Sequence, residues 1–219
     1  MAAPGIQALL LDLGNVTVRL RSEHFGRALL AACRPGTTGP QAWAAIQDPQ
    51  GAHHRYERGL ITGPAFHQAL QKSLGLGLDY AAWLRLWNDY FEPNRPMEAL
   101  LARLQGQLRF WGLSNTNAEH LAFLRLNYRV LGLFEGMSAS NEVGAAKPEP
   151  AIFRHAVRGL GLEPAQILYL DDVGAYVEAG KSQGLQAFHY TFNDQELKEY
   201  LERIGIEPRP LGGGSTMAC

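Results

Sequence analysis

Two cysteines in 219 residues, Cys33 and Cys219, are too few for a disulfide framework and suit no zinc-site spacing. Excess charge is missing as well: 20 basic and 21 acidic side chains leave a formal net charge of −1. Without a polybasic footprint, neither nucleic acid nor an anionic membrane surface is an expected partner. No apolar run approaches the roughly 18 residues needed to cross a bilayer. The opening Met1-Ala2-Ala3-Pro4-Gly5 shows no basic stretch followed by an apolar one, so export is not expected and a cytoplasmic protein is. There is no internal repeat. What remains is ordinary globular composition, 46% hydrophobic and 19% charged, sufficient for one large domain or a core domain with a smaller insertion.

The texture of the chain changes twice. Residues 6–11 read as a strand. From 22 to 91 only helical patterns follow, over 22–33, 40–47, 51–58, 62–73 and 79–91, the last with Trp83, Trp87 and Phe91 at spacing four on one apolar face. After Pro93 strands and helices alternate: helix 95–105, strand 107–113, helix 117–128, strand 136–139, helix 148–160, strand 167–170, helix 174–183 and strand 185–190. Such alternation predicts an α/β fold, a doubly wound parallel sheet covered on both faces, interrupted by an all-helical insertion. The expected division is 1–18 with 92–211 as the core, 19–91 as the insertion, and 212–219 as a flexible Gly-rich tail.

Four features fall at the predicted strand ends, where open α/β sheets place ligands. Asp12 follows Leu9-Leu10-Leu11 on a Leu-Gly-Asn turn. Ser114-Asn115-Thr116 follows the strand ending Gly112-Leu113, offering a hydroxyl and a helix N-terminus to an anion. Lys147 lies in Ala146-Lys147-Pro148-Glu149-Pro150. Asp171 and Asp172 close Ile167-Leu168-Tyr169-Leu170, and adjacent carboxylates there call for a cation, Mg²⁺ being well suited. Taken singly, each has a plain structural explanation as a helix cap or a surface charge. The neighbours His53 and His54 cannot chelate one ion, because successive helical residues point about 100° apart.

In this order the four features resemble the motifs of the haloacid dehalogenase superfamily, over nearly the whole chain. The insertion sits where that family carries a helical cap. Asp12-Leu13-Gly14-Asn15-Val16, Glu57-Arg58-Gly59, Leu113-Ser114-Asn115-Thr116-Asn117 and Lys147-Pro148-Glu149 are similar to the branch containing α-glucose-1-phosphate phosphatases. Asp171-Asp172-Val173-Gly174-Ala175 resembles the phosphatase domain of soluble epoxide hydrolase. The resemblance implies a Rossmann-like core and a Mg²⁺-dependent phosphatase acting on a small phosphorylated metabolite, such as a sugar phosphate, as monomer or homodimer. Asp12 would form an aspartyl-phosphate. Asp12, the Gly14 carbonyl and Asp172, with Asp171 close by, would hold the metal. Ser114, the N–H of Asn115 and Lys147 would bind the phosphoryl oxygens. From the cap, His54 and Arg55 are candidate substrate contacts, although Arg55 also suits a solvated helix face. A phosphate-binding protein with little catalysis and, further off, a 2-haloacid dehalogenase stay open as alternatives.

Two positions depart from the family pattern. Gly14 stands where most of its phosphatases carry an Asp that acts as general acid and base, a loss typically costing about 10²- to 10⁴-fold in rate. Tyr176 stands where an Asp or Asn usually supports the metal or the lysine, and such partners are worth about 10- to 100-fold. Asn15 replaces a Gly and tolerates the same left-handed backbone. Without an acid at 14, acidic leaving groups are favoured: anomeric phosphates, acyl phosphates and their like. A sugar 1-phosphate is therefore expected to turn over faster than its 6-phosphate isomer in an Asp12-dependent assay of phosphate release; the reverse order would refute this reading.

Overall fold

The computed structural model describes residues 5–48 and 50–210. The predicted tail and Cys219 lie outside the described residues. Ala8–Leu11 (β1) is a continuous apolar run, the pattern of a strand buried on both faces. It pairs in parallel with Arg109–Ser114 (β4) on one side and Ile167–Asp171 (β6) on the other, Leu9 lying opposite Phe110 and Leu168. Gly136–Ala139 (β5) and Gln186–His189 (β7) complete a five-stranded parallel sheet in the order β5-β4-β1-β6-β7.

Side chains alternate across this sheet. Leu9, Leu11, Phe110, Leu168 and Leu170 meet Arg95–Leu104 (α6), Ala118–Asn127 (α7) and Asp194–Arg203 (α11) on one face. Ala8, Leu10, Leu113, Ile167 and Tyr169 meet Pro150–Leu160 (α9) on the other, beside Gly174–Ser182 (α10). The short helix Ser140–Val143 (α8) follows β5. Because all five strands run the same way, Asp12, Ser114, Ser140 and Asp171 come to one edge of the sheet.

Between β1 and α6 lies the helical segment: Ser22–Ala32 (α1), Gly39–Gln47 (α2), Ala52–Glu57 (α3), Gly63–Leu74 (α4) and Tyr80–Asn88 (α5). It has its own core of Phe25, Leu29, Tyr56, Phe66, Leu70, Trp83 and Trp87, with the two indoles stacked at 4.9 Å. The chain enters and leaves it through Val18–Leu20 (β2) and Phe91–Pro93 (β3), an antiparallel pair the sequence reading missed. The helix expected over 79–91 is correspondingly shorter. Asp79 caps its start and it ends at Asn88, so Phe91 reaches the junction on a strand rather than on a helix face. α8 and α11 were also unforeseen: α8 is one turn, and α11 buries only Leu197 and Leu201 in a strongly charged run.

The helical segment is tied down over the carboxyl edge by buried and partly buried polar contacts. The hydroxyls of Tyr56 and Tyr80 both donate to Glu119 at the start of α7. Ser140 Oγ donates to the Glu57 carbonyl at 2.5 Å and lies 3.0 Å from the Thr116 carbonyl, while accepting from Thr116 N at 2.9 Å. Arg58 pairs with Glu149. His120 stacks on Trp87 at 4.4 Å and donates from Nε2 to the Trp87 carbonyl at 3.0 Å; its Nδ1 accepts from Asn117 Nδ2 at 3.1 Å. Gly59 makes the α3–α8 approach possible: its φ is +67°, and a Cβ there would lie 2.4 Å from the Asn141 carbonyl oxygen.

Two consequences can be measured. Gly59→Ala combines a left-handed backbone with a backbone clash, so a loss of about 1–3 kcal/mol is expected, seen as a fall of several degrees in thermal midpoint. Burial holds the His120 ring neutral and lowers its pKa from 6.5 to about 3, the Trp87 carbonyl opposing and His53 adding. The unfolded chain therefore takes up this proton first as pH falls. Stability is full above pH 6.5 and is lost progressively towards pH 3, by about 2 kcal/mol at pH 5 from this ring alone. Denaturant unfolding of the protein and of His120→Gln should show a shallower acid dependence in the variant; parallel curves would refute the assignment.

Candidate functional site

Each side chain at the carboxyl edge is held by the strand it leaves. Asp12 N donates to the Leu170 carbonyl at 3.0 Å, carrying the β1–β6 ladder one residue past the strand. Thr17 fastens the returning turn, its Oγ1 donating to the Asp12 carbonyl at 2.6 Å. Asn15 occupies the left-handed conformation expected of it, with φ 58°. Its Nδ2 donates to Asp172 Oδ2 at 3.0 Å and its Oδ1 accepts from Leu20 N at 3.3 Å. This joins the Asp12 turn to the acidic pair, a link not foreseen from the sequence.

At the centre Lys147 Nζ donates to Asp12 Oδ1 and to Asp171 Oδ2, both at 2.7 Å, with all three residues buried. Asn115 carries the lysine backbone: its Oδ1 accepts from Lys147 N at 2.7 Å and its Nδ2 donates to the Lys147 carbonyl at 3.0 Å. Asp171 is fully occupied, taking the Tyr169 hydroxyl on Oδ2 and Val173 N on Oδ1 at 2.8 Å. Tyr169 is two residues before Asp171, so strand alternation puts both on one face; that period was the available signal. The Tyr176 ring faces the lysine, with Nζ 5.0 Å from its centroid, a cation–π distance.

Burial raises the Asp12 carboxyl to about 7; Lys147 opposes the rise, while Asp171 and Asp172 add to it. Burial alone would lower the Lys147 ammonium, but Asp12 and Asp171 outweigh it and hold the pKa above its ordinary value. The lysine thus stays charged. Burial also raises Asp172, against its hydrogen bond from Asn15.

Asp12, Asp171 and Asp172 each present an oxygen within 4.8 Å of the others. Asp12 and Asp171 share one ammonium here with Asp172 beside them, and the raised Asp12 and Asp172 carboxyls are the cost of crowding negative charge away from water. A hard divalent cation fits such an oxygen set. Because Asp171 is spent on Lys147, Tyr169 and Val173, Asp12 and Asp172 are the carboxylates freer to bind one.

Above this group lies a chamber between the core and the helical segment. Gly14, Ser114, Asn115 and Thr116 line it from the core, and Phe25, Trp43, Ile46 and Trp87 from the helices. Ser114 is buried, and its hydroxyl makes only a 3.4 Å contact with the Asn115 carbonyl. On α3 the lining residues are His53 and Glu57, one helical turn apart and 3.7 Å from each other. His54 and Arg55, expected to face the cleft, do not line it. His54 Nε2 instead accepts from Arg58 Nε at 2.9 Å, and Arg55 is exposed. One position on a helix is 100° of rotation, and six residues of α3 were too few to fix its phase.

Residues 6–184 match the haloacid dehalogenase-like hydrolase family. A HAD family enzyme from Bacteroides thetaiotaomicron, whose structures include a complex with magnesium and inorganic phosphate, superposes with a TM-score of 0.72 at 26% identity, covering 84% of this chain and 93% of that one. The sesquiterpene phosphatase astK of Aspergillus oryzae is 27% identical over 153 residues, 69% of this chain and 78% of that protein. An L-2-haloacid dehalogenase from Xanthobacter autotrophicus, at 22% identity and TM-score 0.65 over 93% of this chain and 85% of that one, shares the fold. With the family match spanning most of its length, the doubly wound parallel sheet and the acidic edge in place, this chain belongs to the haloacid dehalogenase-like hydrolases.

Proposed function

We propose that the protein is a Mg²⁺-dependent phosphatase that hydrolyses a small phosphorylated metabolite through an aspartyl-phosphate on Asp12, with residues 19–91 as a substrate-covering cap. The observation that carries this reading is the buried Lys147 ammonium shared by Asp12 and Asp171, beside Asp172 and under a chamber that also contains Ser114 and Asn115. The Bacteroides complex with magnesium and inorganic phosphate and the similarity to a phosphatase support it.

In this mechanism Lys147 holds Asp12 Oδ1, leaving Oδ2 to attack phosphorus. The bond to the leaving oxygen breaks, and water later cleaves the acyl phosphate to release inorganic phosphate. Ser114 Oγ and the Asn115 N–H bind the equatorial oxygens, and Lys147 offsets the charge gathering between nucleophile and phosphoryl group. Asp12, the Gly14 carbonyl and Asp172 would hold Mg²⁺, which supplies further charge neutralisation and orients the phosphate. Asp171 acts on the lysine rather than on the substrate.

Phosphate release measured across a panel of phosphomonoesters, with Mg²⁺ and with excess chelator, tests the reading. Release is expected only with the metal, and Asp12→Asn should lower it at least 10³-fold while still folding. Phosphate binding without any Asp12-dependent release would instead support a phosphate-binding protein of the same fold.

A further inference from the structure

The chamber over the acidic edge has a cavity volume of about 180 Å³, room for a small organic group. Its floor is polar, made by the Ser114–Thr116 turn and Gly14. Its walls away from that floor are not: Phe25, Ile46, Trp87 and Phe91 are buried hydrocarbon and aromatic surface, and Leu20 adds to them. At the rim Trp43 is 44% exposed, unusual for an indole bordering an apolar cluster.

Polar groups also reach the wall, from His53, Glu57, Tyr90 and His120 and from the exposed Gln47 at the rim. His120 spends both ring nitrogens on Trp87 and Asn117. The Tyr90 hydroxyl lies 3.4 Å from Ser22 Oγ, and His53 stands beside Glu57. A sugar ring brings several hydroxyls, each of which loses water on entering and needs a partner to replace it. The face built by Leu20, Phe25, Ile46 and Phe91 offers none, whereas hydrocarbon placed there gains about 25 cal/mol for each Å² withdrawn from water.

We infer that the organic half of the substrate is apolar: the chamber takes a phosphate monoester of a hydrophobic phenol or similarly acidic hydroxyl, in place of the sugar phosphate that the motifs suggested. This rests on the phosphatase reading, which supplies the phosphate at the floor. Asp12 attacks phosphorus, the P–O bond to the organic group breaks, and that oxygen leaves as the weakly basic anion with its electron pair and takes its proton from solvent water. The apolar product remains against the wall until it dissociates.

The experiment compares five compounds on the Mg²⁺-loaded protein: acetyl phosphate, glucose 1-phosphate, phenyl phosphate, 2-naphthyl phosphate and decyl phosphate. 2-Naphthyl phosphate should exceed glucose 1-phosphate in kcat/KM by tenfold or more. 2-Naphthyl phosphate should exceed phenyl phosphate mainly through KM, since their leaving oxygens are of similar acidity. The naphthyl and decyl arms separate a flat aromatic occupant from a flexible chain. Trp43→Ala should cut the ratio of 2-naphthyl to acetyl phosphate turnover about tenfold, the scale of one lost aromatic contact.

A second readout does not need turnover. 2-Naphthol should bind the protein saturably and quench its tryptophan fluorescence, whereas glucose should leave the emission unchanged. Asp12-dependent release from acetyl phosphate combined with equal or better use of glucose 1-phosphate would overturn the apolar assignment and leave the phosphatase reading standing. No Asp12-dependent release from any of the five, acetyl phosphate included, would overturn the phosphatase reading itself.

Discussion

One buried ammonium organises this molecule. Lys147 lies on the loop after α8, yet its Nζ meets carboxylates at the ends of β1 and β6 at 2.7 Å each. Two buried carboxylates so close together would repel without it, and removing one partner from such a group typically costs about 3–5 kcal/mol. The loop cannot drift, because Asn115 at the end of β4 grips the lysine backbone from both sides. Three strand ends and one loop are thereby locked to a single point. The acidic trio and the Ser114-Asn115-Thr116 turn inherit their spacing from that lock.

The same edge anchors the helical segment. α7 begins directly after the Ser114-Asn115-Thr116 turn, and its first residues are the docking post: Asn117 caps it, Glu119 takes two tyrosine hydroxyls, and His120 stacks on Trp87. Thr116 and Glu57 are stitched through one serine hydroxyl, Ser140. Closing the helices over the edge and shaping the Ser114-Asn115-Thr116 turn are therefore one structural event rather than two. Any motion that lifts the helical segment must release contacts made by the helix that follows the turn, so the position of the helices and the shape of the turn are energetically linked.

Much of this was legible in the chain. Leu9-Leu10-Leu11 and Ile167-Leu168-Tyr169-Leu170 are long enough apolar runs to declare buried parallel strands, and the residues after them are the acidic edge. The alternation after Pro93 gave the doubly wound sheet. What escaped has physical reasons. β2 and β3 hold three residues each and exist only because they pair with one another across the insertion. α3 is too short to fix which of His53, His54, Arg55 and Glu57 turns inward. The side-chain grip of Asn115 on Lys147 joins residues 32 apart in sequence, and no local pattern announces such a pairing.

The two departures from the family motifs also change meaning in three dimensions. Tyr176 does not leave Lys147 unsupported: Asp171, itself held by Tyr169 and Val173, fixes the ammonium, and the Tyr176 ring presents its face to it. A carboxylate at 176 would add a further negative charge to a site where burial already raises Asp12 and Asp172. Gly14 is more than a missing acid. A Cβ added there would stand 3.1 Å from Leu20 Cδ1, and both residues line the chamber. Any side chain at 14 would compete with Leu20 for the space next to the Ser114-Asn115-Thr116 turn. The absence of an acid and the apolar wall thus meet at one place: Gly14 leaves to Leu20 the room that an acidic side chain at 14 would need.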